Sequence, residues 1–392
     1  MMGVTFSEVQ HQERAVGLIR HALRAGRLPH ALLFDGPEGV GKELTARALA
    51  AALLCEAPGR APDADACGKC QACVLLAADT HPDYQLIHRG MNKQHPDKAV
   101  QRTKGLFLTV DLIRHFLLSP ATWTPAMGRA RLFIIRDAEK MNEGAQNALL
   151  KTLEEPPAAT RIILLSASAD RLLATIRSRC QRFSFDFLPV EFVRTKLTHD
   201  AVPARDAGPL AALSQGRLGA ARLWARAGLL ERLPDVWQAG ELALRGDPEG
   251  FGKRLVQSAI ELSQRLFVKP DDEAANESVV DEPDDDSDDE ESSKEKEKKI
   301  ETDQLRDSLR LLFLLLAGWL RDNLVTRGGA APLRQLPVNA AADAALQARS
   351  ADDLNDAISA VGEAERMLER NVAPQMACEW LAAALCGDLV RR

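Results

Sequence analysis

The sequence is poor in aromatic side chains, with one tyrosine and twelve phenylalanines among 392 residues. Alanine, leucine and arginine abound instead, which points to a helix-rich protein. Long apolar runs are also missing: none reaches the roughly 18 residues that a membrane-spanning helix needs. The N-terminal stretch MMGVTFSEVQHQER lacks the apolar core of a secretory signal, so a cytoplasmic location with reduced thiols is expected. Nothing in the chain reads as a polymerase active site.

What is present suits two or three domains with sizeable cores, since 46% of the residues are hydrophobic. The net charge of −6 misleads. Residues 271–299 hold 15 acidic residues and 4 lysines, a local −11 that leaves the rest of the chain at +5. A mildly positive body fits contact with nucleic acid without requiring it. The acidic stretch has no aromatic residue and too little apolar surface to offset the entropy of ordering, so 270–300 is expected to be a disordered insertion. A solvated segment is the plain reading of it, and partner contact or the shielding of a basic surface the sharper one.

Near the N-terminus an amphipathic helical pattern (Gln12 to Arg24) leads to a short strand (Ala31 to Phe34). The glycine-rich run Gly36-Pro-Glu-Gly39-Val-Gly41-Lys42 follows, and another helix after it. Strand, loop and helix in that order are the setting of a P-loop, in which backbone N–H groups face a phosphate and the lysine reaches the outer phosphates. The alternative is an empty strand–helix turn that keeps its glycines for packing. The residue after the lysine should be Ser or Thr, whose hydroxyl holds Mg²⁺. Here it is Glu43, longer and negatively charged, and Thr45 comes two residues too late.

Four of the seven cysteines fall within nineteen positions: Cys55, Cys67, Cys70 and Cys73. Thiolates at this spacing can converge on one tetrahedral ion, and four sulfur ligands make a closed, structural Zn²⁺ site. Four unrelated thiols, or a redox Cys-x-x-Cys, are the competing readings. Cys180, Cys378 and Cys386 lie outside the cluster, the last two in an apolar helix. His81 reads as a turn residue before Pro82, with metal ligation as the alternative. The basic stretch from Arg89 to Gly105 reads as a surface loop, or less plainly as a contact for DNA phosphates.

From Arg131 to Gln181 the pattern is strand (Leu132 to Ile135), helix (Asn147 to Leu153, stopped by Pro156-Pro157), strand (Ile162 to Leu165) and helix ending in Ser178-Arg179-Cys180. NALLKTLEEPP followed by LLATIRSRC resembles the clamp-loader branch of the AAA+ ATPases, more narrowly the loader subunits of bacterial DNA polymerase III. The pairing of the two motifs is specific where neither alone would be. The resemblance runs from Phe6 to about Val190 and more weakly to the C-terminus. It implies an α/β P-loop AAA+ domain over 1–188 with an inserted zinc module at about 55–73. A small helical lid over 189–232 would follow, then an all-α collar domain over 233–392, interrupted by the acidic insertion.

The resemblance also assigns roles. Gly36, Gly39, Gly41 and Lys42 match the nucleotide-binding loop. Active relatives carry Asp-Glu after the central strand, one residue for magnesium and one for water. Arg136-Asp137 stands there, so a cation takes the magnesium position; a one-residue slip would instead make Asp137 the metal ligand. Gly219 stands where motor subunits usually place a γ-phosphate-sensing Arg, with Arg217 and Arg222 nearby. Hydrolysis is therefore expected to be absent or vestigial, while nucleotide binding stays open. Arg179 matches the arginine finger that acts in trans on a neighbour's ATP; a surface or helix-capping arginine is the bland alternative. The partners implied are the γ/τ and δ loader subunits, with the sliding clamp and primed DNA reached through the complex. An ATP-hydrolysing γ/τ-type subunit is the second reading, and a zinc protein binding nucleic acid outside replication the third.

Overall fold

The computed structural model describes residues 4–103, 107–127, 129–157, 159–267, 302–347, 349–370 and 372–386. The acidic insertion expected at 270–300 lies outside the described residues, as do Lys104, Gly105, Gly128 and Asn371. The chain divides into two compact units, Met1–Pro189 and Val190–Arg392.

The first unit is built on five strands: β1 (Ala31–Asp35), β2 (Tyr84–Ile87), β3 (Arg131–Ile135), β4 (Thr160–Ser166) and β5 (Gln181–Ser184). Their order across the sheet is β2-β3-β4-β1-β5, and every neighbouring pair is parallel. β1 and β3 are buried at every position, as parallel strands covered on both faces should be. Each Leu, Ile or Phe so enclosed contributes about 1.5–3 kcal/mol relative to exposure. β5 is not anticipated by the sequence pattern. Of its residues Gln-Arg-Phe-Ser only Phe183 is buried, and the strand is held by pairing with β1 from Leu32↔Gln181 to Asp35↔Ser184. An edge strand that buries one residue leaves almost no hydrophobic period to read.

The helices of this unit are α1 (Glu13–Arg24), α2 (Lys42–Leu54), α3 (Gln71–Ala77), α4 (Glu143–Glu154) and α5 (Ala174–Arg179). α1 buries Ala15, Ile19 and Leu23, the stripe its amphipathic pattern dictates. α4 begins four residues before the apolar run because Asn142 caps it: its Oδ1 accepts from the Ala145 N–H at 2.8 Å. Between β2 and β3 the chain is helical at Val110–Ile113 and then widens into a π turn at Arg114–Leu118. At the base of the sheet Asp83, with no exposed side-chain surface, pairs with Arg131 at 3.0 Å and accepts the N–H groups of Ala126 and Met127.

Among the described residues of the second unit the regular elements are helices: α6 (Val190–His199), α7 (Ala204–Ser214), α8 (Leu218–Arg226), α9 (Leu233–Leu244), α10 (Pro248–Leu266), α11 (Thr302–Arg327), α12 (Ala340–Gln347), α13 (Ala351–Glu369) and α14 (Pro374–Leu385). α11 contains the dense apolar run and buries Leu312, Phe313, Leu315 and Leu316. The alanine-rich α12 was not foreseen. It is tied to α11 by a hydrogen bond from Trp319 Nε1 to Asp343 at 2.7 Å. Among the described residues no helix is long and apolar enough to cross a membrane.

Candidate functional site

The loop between β1 and α2 has the backbone of a phosphate cradle. Gly36 has φ 151°, and an added Cβ would lie 2.2 Å from the Phe185 carbonyl oxygen, so no larger residue fits. Gly41, at φ 108°, is the N-cap of α2; only glycine adopts that conformation without strain. Lys42 is the first residue of α2 and is buried. Its ammonium donates to the carbonyls of Gly36 and of Pro37, the latter at 2.6 Å. Burial pulls the lysine below its ordinary value, against the charges of Glu139, Glu38, Asp35 and Asp137. Thr45 is wholly buried, and its hydroxyl is turned back to the Gly41 carbonyl at 2.9 Å.

Glu43 and Arg136, the two residues that depart from the expected pattern, meet each other. Arg136, just past β3, donates from Nε and from Nη2 to the two oxygens of Glu43, each at 2.8 Å. Arg47, one turn along α2, adds a third bond from its Nε at 3.0 Å, and its Nη1 reaches Asp79 at 2.7 Å. Burial acts to raise the Glu43 carboxyl, but the bonds and charges of Arg136 and then of Arg47 outweigh it and hold the group below the usual carboxylate range. A bidentate guanidinium–carboxylate pair is the strongest geometry two such side chains have, and it joins the start of α2 to the end of β3. The signal was present in the sequence only as two opposite charges, at positions 43 and 136. Their pairing could not be read from residues 93 positions apart. Asp137 has a left-handed backbone (φ 53°) and lies 3.6 Å from Arg89.

The four clustered cysteines converge. Their sulfurs all lie within 4.8 Å of one another, with Cys67–Cys73 at 3.9 Å and Cys55–Cys70 at 4.0 Å. A tetrahedral Zn²⁺ with bonds of about 2.3 Å needs sulfurs about 3.8 Å apart, so the set fits such an ion. Backbone N–H groups are already aimed at the sulfurs, from Lys69 and Cys70 to Cys67 (3.4 and 3.3 Å), from Glu56 to Cys70 and from Cys67 to Cys55 (both 3.4 Å). The donors on Cys67 lower that thiol to about 6. No open position is left for substrate. His81 is not in this group: it is buried, and its Nδ1 accepts from the Asp83 N–H at 3.0 Å, closing a turn. Burial raises the Cys180 and Cys378 thiols to about 12 each.

Arg179 ends α5, and its side chain is 33% exposed. Its Nη1 donates to the Thr175 carbonyl at 3.0 Å, and its Nη2 pairs with Glu154 Oε1, a contact sequence reasoning missed. The neighbouring Arg177 pairs with Asp170 at 2.7 Å, while Cys180 packs into the core below. In the second unit, Arg217 lies over Trp224 at 5.6 Å and bonds the Ser214 carbonyl at 3.0 Å, and Arg222 pairs with Asp200 at 2.6 Å.

Comparison with known proteins places these features. A family profile described as "DNA polymerase III, delta subunit" matches residues 11–189. The DNA polymerase III subunit delta-prime of Pseudomonas aeruginosa is 42% identical over 151 residues, covering 38% of this chain and 41% of that protein. Its Escherichia coli counterpart is 37% identical over 218 residues, covering 56% and 59%. The DNA polymerase III subunit tau of Salmonella typhimurium is 36% identical over 195 residues, covering 50% and 27%. The chain thus spans less than two thirds of the length of each of these relatives. A parallel α/β domain carrying a four-cysteine cluster thus coincides with a stretch similar in sequence, over residues 11–189, to delta-type subunits of DNA polymerase III, the delta-prime proteins of two bacteria among them.

Proposed function

We propose that this chain is a delta-prime-type subunit of the DNA polymerase III clamp loader, which helps place the sliding clamp on primed DNA in the cytoplasm. It works beside γ/τ and δ subunits and has no ATPase or polymerase activity of its own. The first unit is the AAA+ domain, residues 189–232 a lid, and the remaining helices a collar. Zn²⁺ is held by Cys55, Cys67, Cys70 and Cys73 as a structural ion.

One observation carries the proposal: Arg136 grips both oxygens of Glu43, at the two positions where the family resemblance puts the magnesium ligands. A guanidinium at the metal's place repels Mg²⁺, and a carboxylate engaged on both oxygens has no strong ligand to offer it. Without that ion the β- and γ-phosphate charge is not neutralised. Gly36, Gly39, Gly41 and Lys42 keep the shape of the cradle without its chemistry. Arg179 supplies what the complex needs from this subunit, a guanidinium for the γ-phosphate bound by its neighbour. The isolated chain, given Mg²⁺ and ATP with and without DNA, is expected to turn over negligibly; about one turnover per second, an ordinary enzyme rate, would overturn the reading.

The match to a tau subunit favours one alternative, a γ/τ-type motor, and the same assay separates the two. The metal has its own check. Protein purified without chelator should carry about one equivalent of zinc by native mass measurement, and below about half an equivalent the four-sulfur site is wrong. Stripping it should lower the thermal midpoint by about 2–4 °C for each kcal/mol lost.

A further inference from the structure

The two motifs that identify the family are fastened together by side chains. Gln146, in the first motif's helix α4, is 5% exposed; its Oε1 accepts the N–H of Leu173 at 2.8 Å and its Nε2 donates to the Met141 carbonyl at 3.1 Å. That bond fixes the start of α5. Glu154, the last residue of α4, fixes the other end through Arg179. A six-residue helix is far below the length that holds itself in water, so it depends on the core packing of Ile176 and on ties such as these. The two ties differ in kind. The first is buried and uses backbone; the second joins two side chains that are 33% and 48% exposed. Arg179 thus has one fixed anchor, the Thr175 carbonyl, and one exchangeable partner, a carboxylate.

A half-exposed ion pair is weak and screened by water, whereas a guanidinium takes a phosphate through two parallel bonds. We propose that Glu154 is a positioning residue that parks the Arg179 guanidinium at the surface and competes for it with the terminal phosphate of a nucleotide held by an adjacent subunit. The inference rests on the trans role proposed above for Arg179. Glu154 keeps the arginine extended and ordered in the free subunit, and it delays engagement until a more highly charged anion arrives. The carboxylate's own charge then faces the phosphate, so removing that charge while keeping the shape should ease engagement.

The test is a loader reconstituted with full-length chains, in which this subunit carries Glu154→Gln, Glu154→Asp, Arg179→Ala or the Glu154→Gln/Arg179→Ala pair. ATP turnover is measured on primed DNA, and thermal midpoints are taken to show that each chain is folded. Glu154→Gln should raise kcat/KM about two- to fivefold, the range of a surface ion pair. Glu154→Asp, which retains the charge, should lie closer to the unaltered chain. In the Arg179→Ala background Glu154→Gln should change nothing. An unchanged kcat/KM for Glu154→Gln, or the same rise without Arg179, overturns the parking role. If Arg179→Ala alone leaves turnover untouched, it is the trans reading that fails.

Discussion

Two arginine–glutamate pairs stand in the first unit, and they are built for opposite ends. Arg136 grips both oxygens of Glu43 at 2.8 Å, with Arg47 on the same carboxylate at 3.0 Å. Arg179 touches one oxygen of Glu154 and keeps its other amino group on a backbone carbonyl at 3.0 Å. The two arginines are similarly exposed, 40% and 33%, so burial does not separate them. The number of bonds on the carboxylate does. A carboxylate held by three N–H donors from two arginines is a strut, whereas one held at a single oxygen is a resting place. The first pair ties the start of α2 to the end of β3, and the second leaves a guanidinium on one carboxylate and its own helix's carbonyl.

The comparison can be broken by measuring stability. Arg136→Ala should cost about 1–2 kcal/mol in denaturant unfolding, between the ranges for exposed and buried pairs. In a double-mutant cycle with Glu43→Ala most of that loss should appear as coupling. A cost as small as that of an ordinary surface change would show that the bidentate pair is no strut. Arg179→Ala should cost less, about 0.2–1 kcal/mol, as suits an exchangeable contact.

The smallest effect is in pH. Glu43 is held below its ordinary value, so the stability it supplies is present above the unfolded carboxylate value of about 4.3 and is lost as pH falls through the lower folded one. The gap between the unaltered chain and Arg136→Ala should therefore be flat near neutrality and narrow in acid below about pH 4. A gap that widens on acidification would mean that the carboxylate is not the group responsible.

The parts of this protein written in continuous patterns were legible in its sequence. β1, β3 and β4 are apolar runs, and the glycines after β1 and the cysteine spacing state their own local geometry. Legibility failed where a feature depends on residues distant in the chain. β5 is specified by its neighbour rather than by its own polar residues. Glu43 and Arg136 read separately as two defects, and only the fold makes them one pair. Glu154 was hidden inside a motif quoted for its apolar spacing, and its partner comes 25 residues later, across a strand. α12 was missed because short alanine-rich segments carry propensity but little periodicity.

The central claim is that this chain's arginine works on a triphosphate its own P-loop does not break. Its most direct test is the ATP turnover of two reconstituted loaders that differ only at Arg179, with equal incorporation of the subunit. The account predicts that Arg179→Ala lowers hydrolysis at the adjoining site by about 10³-fold or more, as loss of an arginine finger does, while the chain stays folded. Equal turnover in the two complexes would contradict it.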